Sequence, residues 1–400
     1  MAEYRYTTKD LQGVEHTGEI QAGDIRSASA ILRKKSLVVI SITPKTPTAG
    51  QFIDKYLNRV SFDELVIMTR QLATMVGAGL VLSEAIDILE EQQDKKALKK
   101  ALKEISQNIK GGLTLALALN KYPDIFPRLY VNLIKSGEAS GKLDKVLLQM
   151  ADDLEKNREF RARIQGALIY PAVVVTMMFG VIIVMMVFVI PRLTSLYAQS
   201  SIELPLPTQI LIGISNIFTN FWWLLLLLCI GGYITIKRWI ATPKGGYLFD
   251  SLILKLPIVG KVVTSVTLTN FNRTFGLLVS AGIPLLESIS IVEDQTGNLV
   301  FRNSLKEAYL GVEKGLPFSS LLSGKVFPKI VSQMVRVGEE TGKVDEIFFK
   351  LADYFESESD HMIKNLTVAI EPIVLVILGG GVIFLLIAIM LPIFKLTTSF

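Results

Sequence analysis

Apolar positions along this chain follow two rhythms. Leu143, Val146, Leu147, Met150, Ala151 and Leu154 recur at the i, i+3, i+4, i+7 spacing of one helix face. Val344, Ile347, Phe348, Leu351, Ala352 and Phe355 repeat that face 201 positions later. Each face runs through a proline, Pro171 or Pro372, into a stretch without Asp, Glu, Lys, Arg or His. Residues 172–190, 210–236 and 373–391 are three such stretches, and about 20 apolar residues suffice to cross a bilayer. The middle one is longer than needed, so its first part is expected to tilt or lie at the interface. Trp222-Trp223 and Trp239 would sit in the aromatic belts.

The shorter rhythm belongs to the N-terminus. Tyr4-Arg5-Tyr6, residues 14–20 and Leu37-Val38-Val39-Ile40-Ser41-Ile42 read as strands, the last stopping before Pro44. A turn is expected over residues 10–13, and Ala28, Ile31 and Leu32 form one helical face. Residues 1–43 thus predict a small α/β module with a small core. Residues 44–60, with Pro44, Pro47 and Gly50, read as a linker.

Helices fill the rest. Ser61-Phe62-Asp63-Glu64 is a capping box, in which Ser hydroxyl and Glu carboxylate satisfy free N–H groups. The helix it opens runs to about Val76, with Leu65, Met68, Leu72, Met75 and Val76 on one face, and Gly77 and Gly79 end it. A second helix starts near Val81, or near Pro284 in the second copy. A third covers residues 94–109, where Lys95, Lys96, Lys99, Lys100, Lys103 and Glu104 read as a solvated face, and Gly111-Gly112 closes it.

The chain is internally duplicated. Gly137-Glu138-Ala139-Ser140-Gly141-Lys142-Leu143-Asp144 returns as Gly338-Glu339-Glu340-Thr341-Gly342-Lys343-Val344-Asp345, and Pro191 returns as Pro392, at the same shift of 201. Upstream, Arg70 and Gly79 match Arg273 and Gly282 at a shift of 203. The difference falls in the loop before Phe126-Pro127 and Phe327-Pro328, where a deletion costs little. The fold class is therefore a mainly α membrane protein: two repeated cytoplasmic bundles of about six helices, three transmembrane helices and a small N-terminal α/β module. The boundaries are 1–43, module; 44–60, linker; 61–168, first repeat; 169–191, first span; 192–208, outer loop. They continue with 209–237, second span; 238–369, second repeat; 370–392, third span; 393–400, outer tail.

Composition agrees. Half the residues are hydrophobic, a fifth are charged, and mean hydropathy is +0.43, which suits a membrane protein with sizeable soluble parts. The net charge of +5 fits basic flanks near an anionic leaflet, and no basic stripe with interleaved aromatics points to nucleic acid. Lys156, Arg158, Arg161, Arg163, Lys237, Arg238, Lys244 and Lys364 flank the spans on one side, against Arg192 and Lys395 on the other. Both repeats and the N-terminus are thus expected in the cytoplasm and the C-terminus outside. Cys229 is the single cysteine and reads as a small hydrophobe in an apolar run, and no cleavable signal peptide is seen.

No catalytic set is visible. The two histidines, His16 and His361, stand far apart, and Asp152-Asp153 read as solvated surface. Gly137–Lys142 has three residues between its glycines where a phosphate loop needs four, and Leu143 or Val344 stands where a hydroxyl should be. A helix–turn–helix reading fits, one glycine capping a helix and the next starting the approach to the long one. Glu138 and Glu339, just beyond a helix end, are candidates to cap the next helix, pair with an internal or partner cation, or bind a hard cation with Asp144 or Asp345. Arg70 and Arg273 stand as their internal partners. The uncharged spans offer no polar path for a carrier. Glu371 is expected at the inner boundary, with Tyr170 at that place in the first copy. Gly180, Gly379, Gly380 and Gly381 are candidates for close helix packing, contact between protomers included, with a locally flexible span as the alternative.

The doubled Gly-Glu-x-x-Gly-Lys-(Leu/Val)-Asp motif, the Arg70–Gly79 segment and the Tyr170-Pro171 and Glu371-Pro372 entries resemble the PilC/GspF family, over essentially the whole chain. Arg273-Thr274-Phe275 varies the segment in the second copy, and Ser36 stands where that family carries glycine. The resemblance implies a non-enzymatic inner-membrane platform protein of a type IV pilus, type II secretion or competence machine, without cofactors. Its implied partners are a hexameric cytoplasmic assembly ATPase, pilins or pseudopilins, other inner-membrane components, the lipid bilayer and further copies of itself, with no nucleic acid. The stretches from Leu143 to Pro171 and from Val344 to Pro372 become candidate levers. A membrane-anchored scaffold unrelated to filaments is the alternative, and it would need a ligand-binding domain outside.

Overall fold

The computed structural model describes residues 2–9, 15–22, 27, 29, 31–32, 38–44, 60–192, 206–322, 324 and 326–398. The expected turn at 10–13, Ala28, Ser36, most of the linker, most of the outer loop and the last two residues lie outside them. So does the side chain of Glu371. The chain divides into two compact units, residues 1–61 with 93–100, and 62–92 with 101–400.

In the first unit, β1 (Ala2–Lys9), β2 (Glu15–Ala22) and β3 (Val38–Pro44) form an antiparallel sheet in the order β2-β1-β3. Tyr4 faces Ile20 on one side and Pro44 on the other. The third strand thus includes Pro44 rather than stopping before it. A strand's last residue at a sheet edge needs no N–H for the ladder. Ser27, Ser29, Ile31 and Leu32 are helical.

The helical unit repeats one succession. The first copy contains α1 (Phe62–Gly77), α2 (Leu82–Glu91), α3 (Lys96–Lys110), α4 (Leu115–Leu119), α5 (Arg128–Ser140) and α6 (Leu143–Val184). Next come α7 (Leu206–Asn220), α8 (Trp222–Ile240) and α9 (Pro243–Lys255). The second copy contains α10 (Val259–Ser280), α11 (Leu285–Gln295), α12 (Leu299–Glu313), α13 (Phe318–Leu321), α14 (Lys329–Thr341) and α15 (Val344–Thr398). Helix α1 buries Leu65, Met68 and Leu72, while α6 buries Val146, Leu147 and Met150. The second copy fills the matching space with aromatics. Phe271, Phe275, Phe318 and Phe348 interlock with ring centroids as close as 4.4 Å for Phe275 and Phe348. Such offset pairs add to what area burial alone supplies.

Among the described residues, two helices are long and apolar enough to cross a bilayer: residues 143–192 and Trp222–Ile240. A shorter apolar stretch, Pro372–Ala388, lies within α15. The long middle run is not one helix. It breaks at Phe221 between α7 and α8, after Ser215, Asn216, Thr219 and Asn220. Such side chains compete for backbone partners, as Thr219 does by donating to Ser215 O at 3.0 Å.

Helix α7 is instead a bridge. Its buried face, Thr208, Leu211 and Ser215, packs on Ile190 after α6 and on Ala388 of α15. Residues 185–189 form a π turn in which Ile190 N–H reaches back to Met185 O. Pro191 has no N–H, so neither residue supplies a donor to Met186 O. Ser215 Oγ donates there at 2.5 Å. In α15 the helical donor to Ala388 O would come from position 392, again a proline. Thr208 Oγ1 donates to it at 2.6 Å.

Candidate functional site

The duplicated motif folds into the same joint twice. Helix α5 ends with Gly141 at φ +66°, and α14 with Gly342 at φ +71°, a left-handed conformation that favours glycine. Lys142 N–H bonds Gly137 O at 3.0 Å, and Lys343 N–H bonds Gly338 O at 3.0 Å, closing each helix. The first glycine of each motif lets two helices touch. A Cβ on Gly137 would lie 3.1 Å from Val146 Cβ, and one on Gly338 would lie 3.2 Å from Ile347 Cγ1. The roles expected for the two glycines are therefore exchanged: the second caps, and the first permits the close approach.

Glu138 and Glu339 lie inside the last turns of α5 and α14, not beyond them. Glu138 Oε1 accepts Leu115 N–H at 2.5 Å, and Oε2 accepts Ala116 N–H at 3.0 Å. Glu339 Oε1 accepts Phe318 N–H at 2.8 Å, and Oε2 accepts Ser319 N–H at 3.3 Å. Each carboxylate thus caps the short helix that precedes its own, α4 or α13, where free N–H groups favour negative charge. Asp144 and Asp345 occupy the first turns of α6 and α15. Among the described residues no three His, Cys, Asp or Glu side chains are grouped to hold a metal ion.

Neither arginine pairs with these glutamates. Arg70 forks onto Glu155, with Nε to Oε1 at 2.7 Å and Nη2 to Oε2 at 2.5 Å, and Nη2 also reaches Asp152 Oδ1 at 2.5 Å. The hydrogen bonds with Glu155, then Asp152, raise the Arg70 pKa further, and Arg70 holds Glu155 below the usual carboxylate range. In the second copy Arg273 is buried and donates from Nη2 to Glu356, the counterpart of Glu155. Its Nε lies 3.9 Å from Asp153 Oδ1 in the first copy. Asp153 is therefore not solvated surface. Burial pushes its carboxyl up to about 6, against the pull of Arg273 and Lys156. Among the described residues Arg273 Nη1 has no hydrogen-bond partner, and the group borders a cavity of about 220 Å³ lined by Asp152, Asp153, Lys156 and Asp353.

These charges stitch the repeats together. Glu356 also receives Arg163 from α6, whose Nε lies 3.5 Å from Asp360. Gln149 Nε2 donates to Ser280 Oγ at 2.6 Å, and Ser136 Oγ donates to Ala281 O at 2.5 Å. Arg128 pairs with Asp294. Sequence reasoning missed Glu155 and Glu356, although both obey the shift of 201 and both lie on the helix that follows the motif. It also missed Thr208 and Ser215, for which the signal was the repeated proline. Among the described residues nothing lies within 4 Å of where a Cβ on Gly180, Gly379, Gly380 or Gly381 would stand, so among them these glycines bring no helices together.

Comparison with known proteins gives the same repeat. Residues 68–191 and 271–392 each match the family model described as type II secretion system (T2SS), protein F. Residues 1–43 match the N-terminal domain of type II secretion system protein F. The type IV pilus assembly protein PilC of Thermus thermophilus is 36% identical over 402 residues, covering 99% of this chain and 98% of that one. PilC of Pseudomonas aeruginosa is 35% identical over 83% of this chain and 90% of its own. The type II secretion system protein F of Xanthomonas campestris pv. campestris is 28% identical over the full length of both.

Proposed function

Because the chain belongs to the PilC/GspF family, we propose that it is an inner-membrane platform of a type IV pilus or type II secretion machine. In that role it transmits work from a cytoplasmic assembly ATPase to pilins or pseudopilins entering a filament. The role is structural, not catalytic. The observation that carries it is the continuity of α6 and α15. Each starts in a motif joint, runs along a helical repeat, and continues as helix into an apolar stretch. At 1.5 Å per residue, the 55-residue α15 is about 80 Å long. A push on either repeat is therefore delivered into the membrane without a flexible link.

In this reading the chain crosses the bilayer three times, through the apolar parts of α6, α8 and α15, with both repeats in the cytoplasm. Helix α7 packs at the outer ends of the first and third spans. The apolar faces of α6, α8 and α15 are open in a single chain, so further copies, other inner-membrane components and pilin stems share them with lipid.

The test is ATP hydrolysis by the machine's cytoplasmic ATPase with and without this protein in nanodiscs, together with co-purification. Binding that changes turnover is expected, with no hydrolysis by this chain alone. Absence of binding in every nucleotide state would sink the coupling role.

A further inference from the structure

Helix α9 carries an apolar and basic face left open by the other described residues. Tyr247, Leu248 and Leu252 are exposed on it, followed by Leu256, Ile258 and Val259 at the elbow into α10. Lys244 and Lys255 fall on the same face by helical spacing, and no acidic residue does. The opposite face is clamped. Asp250 Oδ2 accepts Leu299 N–H at 2.7 Å, at the start of α12. A Cβ on Gly245 would lie 2.0 Å from Trp239 O, and one on Gly246 would lie 2.8 Å from Ile240 O. Helix α9 is thus held against both the end of α8 and the second repeat, and its open face is fixed in direction.

The packing of α10 on α15 sets the depth of that face. Gly276 meets Phe348, and Ser265 Oγ lies 3.9 Å from Met362 Sδ. The two helices are therefore antiparallel. Stepping six residues on along both places Val259 level with Val368, shortly before the apolar stretch opens at Pro372. The elbow turns by 109° there. Lys261 and Lys364 are exposed near the same level.

We propose that α9 and its elbow lie in the head-group layer of the cytoplasmic leaflet and bind an anionic lipid surface. Tyr247, Leu248, Leu252, Leu256, Ile258 and Val259 enter the upper acyl region, while Lys244, Lys255, Lys261 and Lys364 meet lipid phosphates. The proposal rests on α8 being a span, since α8 ends only three residues before α9 begins. Its consequence is mechanical: the second repeat is fastened to the membrane at a second place besides α15.

The test uses the full chain carrying Cys229→Ser, with Leu252→Cys, Leu227→Cys or Glu307→Cys labelled by an environment-sensitive fluorophore. The protein is reconstituted in phosphatidylcholine vesicles with or without phosphatidylglycerol, containing lipids with a quencher placed shallow or deep. The label at 252 is expected to be blue-shifted relative to the one at 307 and quenched most by the shallow probe. The label at 227 is expected to be quenched most by the deep probe. Lys244→Glu with Lys255→Glu and Lys261→Glu is expected to reduce the shallow quenching when phosphatidylglycerol is present. If the quenchers miss position 252 but reach 227, the interfacial helix is wrong and the span stands. A blue-shifted, unquenched label at 252 means that protein covers the face, which also overturns the proposal. Loss of quenching at 227 overturns the span itself.

Discussion

The hydroxyl of Thr208 donates to the carbonyl of Ala388 at 2.6 Å, across 180 residues of sequence. That carbonyl lacks its helical donor because position 392 is proline. Seven residues along the same face of α7, Ser215 serves Met186 O beside Pro191. The duplicated prolines thus leave two orphaned carbonyls, and one short helix satisfies both. In an apolar surrounding an unpaired carbonyl is costly.

Thr208→Val keeps the shape and removes the donor. It should lower stability in detergent by about 1 kcal/mol, as interhelical hydrogen bonds in membranes do. Pro392→Ala restores an N–H at position 392, so Thr208→Val should cost markedly less in that background. A double-mutant cycle on thermal unfolding measures the coupling. Strict additivity would mean that the hydroxyl does not act through that carbonyl.

Glu138→Ala and Glu339→Ala should each cost about 1–2 kcal/mol, the usual loss for an N-cap acceptor. Glu339→Arg should cost more, because it places a cation at the N-terminus of α13. Thermal unfolding of the purified variants ranks them. Filament output should follow that ranking if the motif acts through the joint it builds.

The two arginines should differ sharply. Arg273→Ala leaves the buried Asp153 without its nearest cation, while Glu356 keeps Arg163, and should cost about 3 kcal/mol. Arg70 is 30% exposed and its partners 36% and 55%, so Arg70→Ala should cost about 1 kcal/mol or less. Denaturant unfolding of both variants checks the contrast.

Asp153 titrates at about 6 when folded, against about 4 in an unfolded chain. Between these values the unfolded chain has released a proton that the folded chain keeps. Stability from this group therefore falls as pH rises through that window and levels off above it. Glu155, whose folded pKa is lowered, works in the other direction. Subtracting the Asp153→Asn stability curve from the wild-type curve should leave this fall. A flat difference would mean that Asp153 is ionised throughout.

Two glycines inserted after Ala167 should abolish filament assembly while leaving membrane insertion intact. The site avoids the ion pairs of Glu155 and Arg163. Four inserted alanines keep the helix and return within about 40° of the original phase, so they should retain part of the output. Full assembly with the glycine pair would end the lever idea.

Helical periodicity, the uncharged runs and the repeat were all legible from the chain alone, because they are local. A helix face needs only its spacing, a span only its length and lack of charge, and a joint only glycine at the turn. Thus Leu143 to Leu154 and Val344 to Phe355 could be placed on buried faces without any coordinates. What Glu138, Asp153, Thr208 and Ser215 do depended on groups brought near from elsewhere in the chain. Glu138 caps a helix that precedes its own. Asp153, next to the more exposed Asp152, is buried because the second repeat sets Arg273 against it. The break at Phe221 turns half of an apolar run into a bridge whose hydroxyls meet carbonyls freed by prolines. Polar side chains choose partners by proximity in space, and only the tertiary structure sets that proximity.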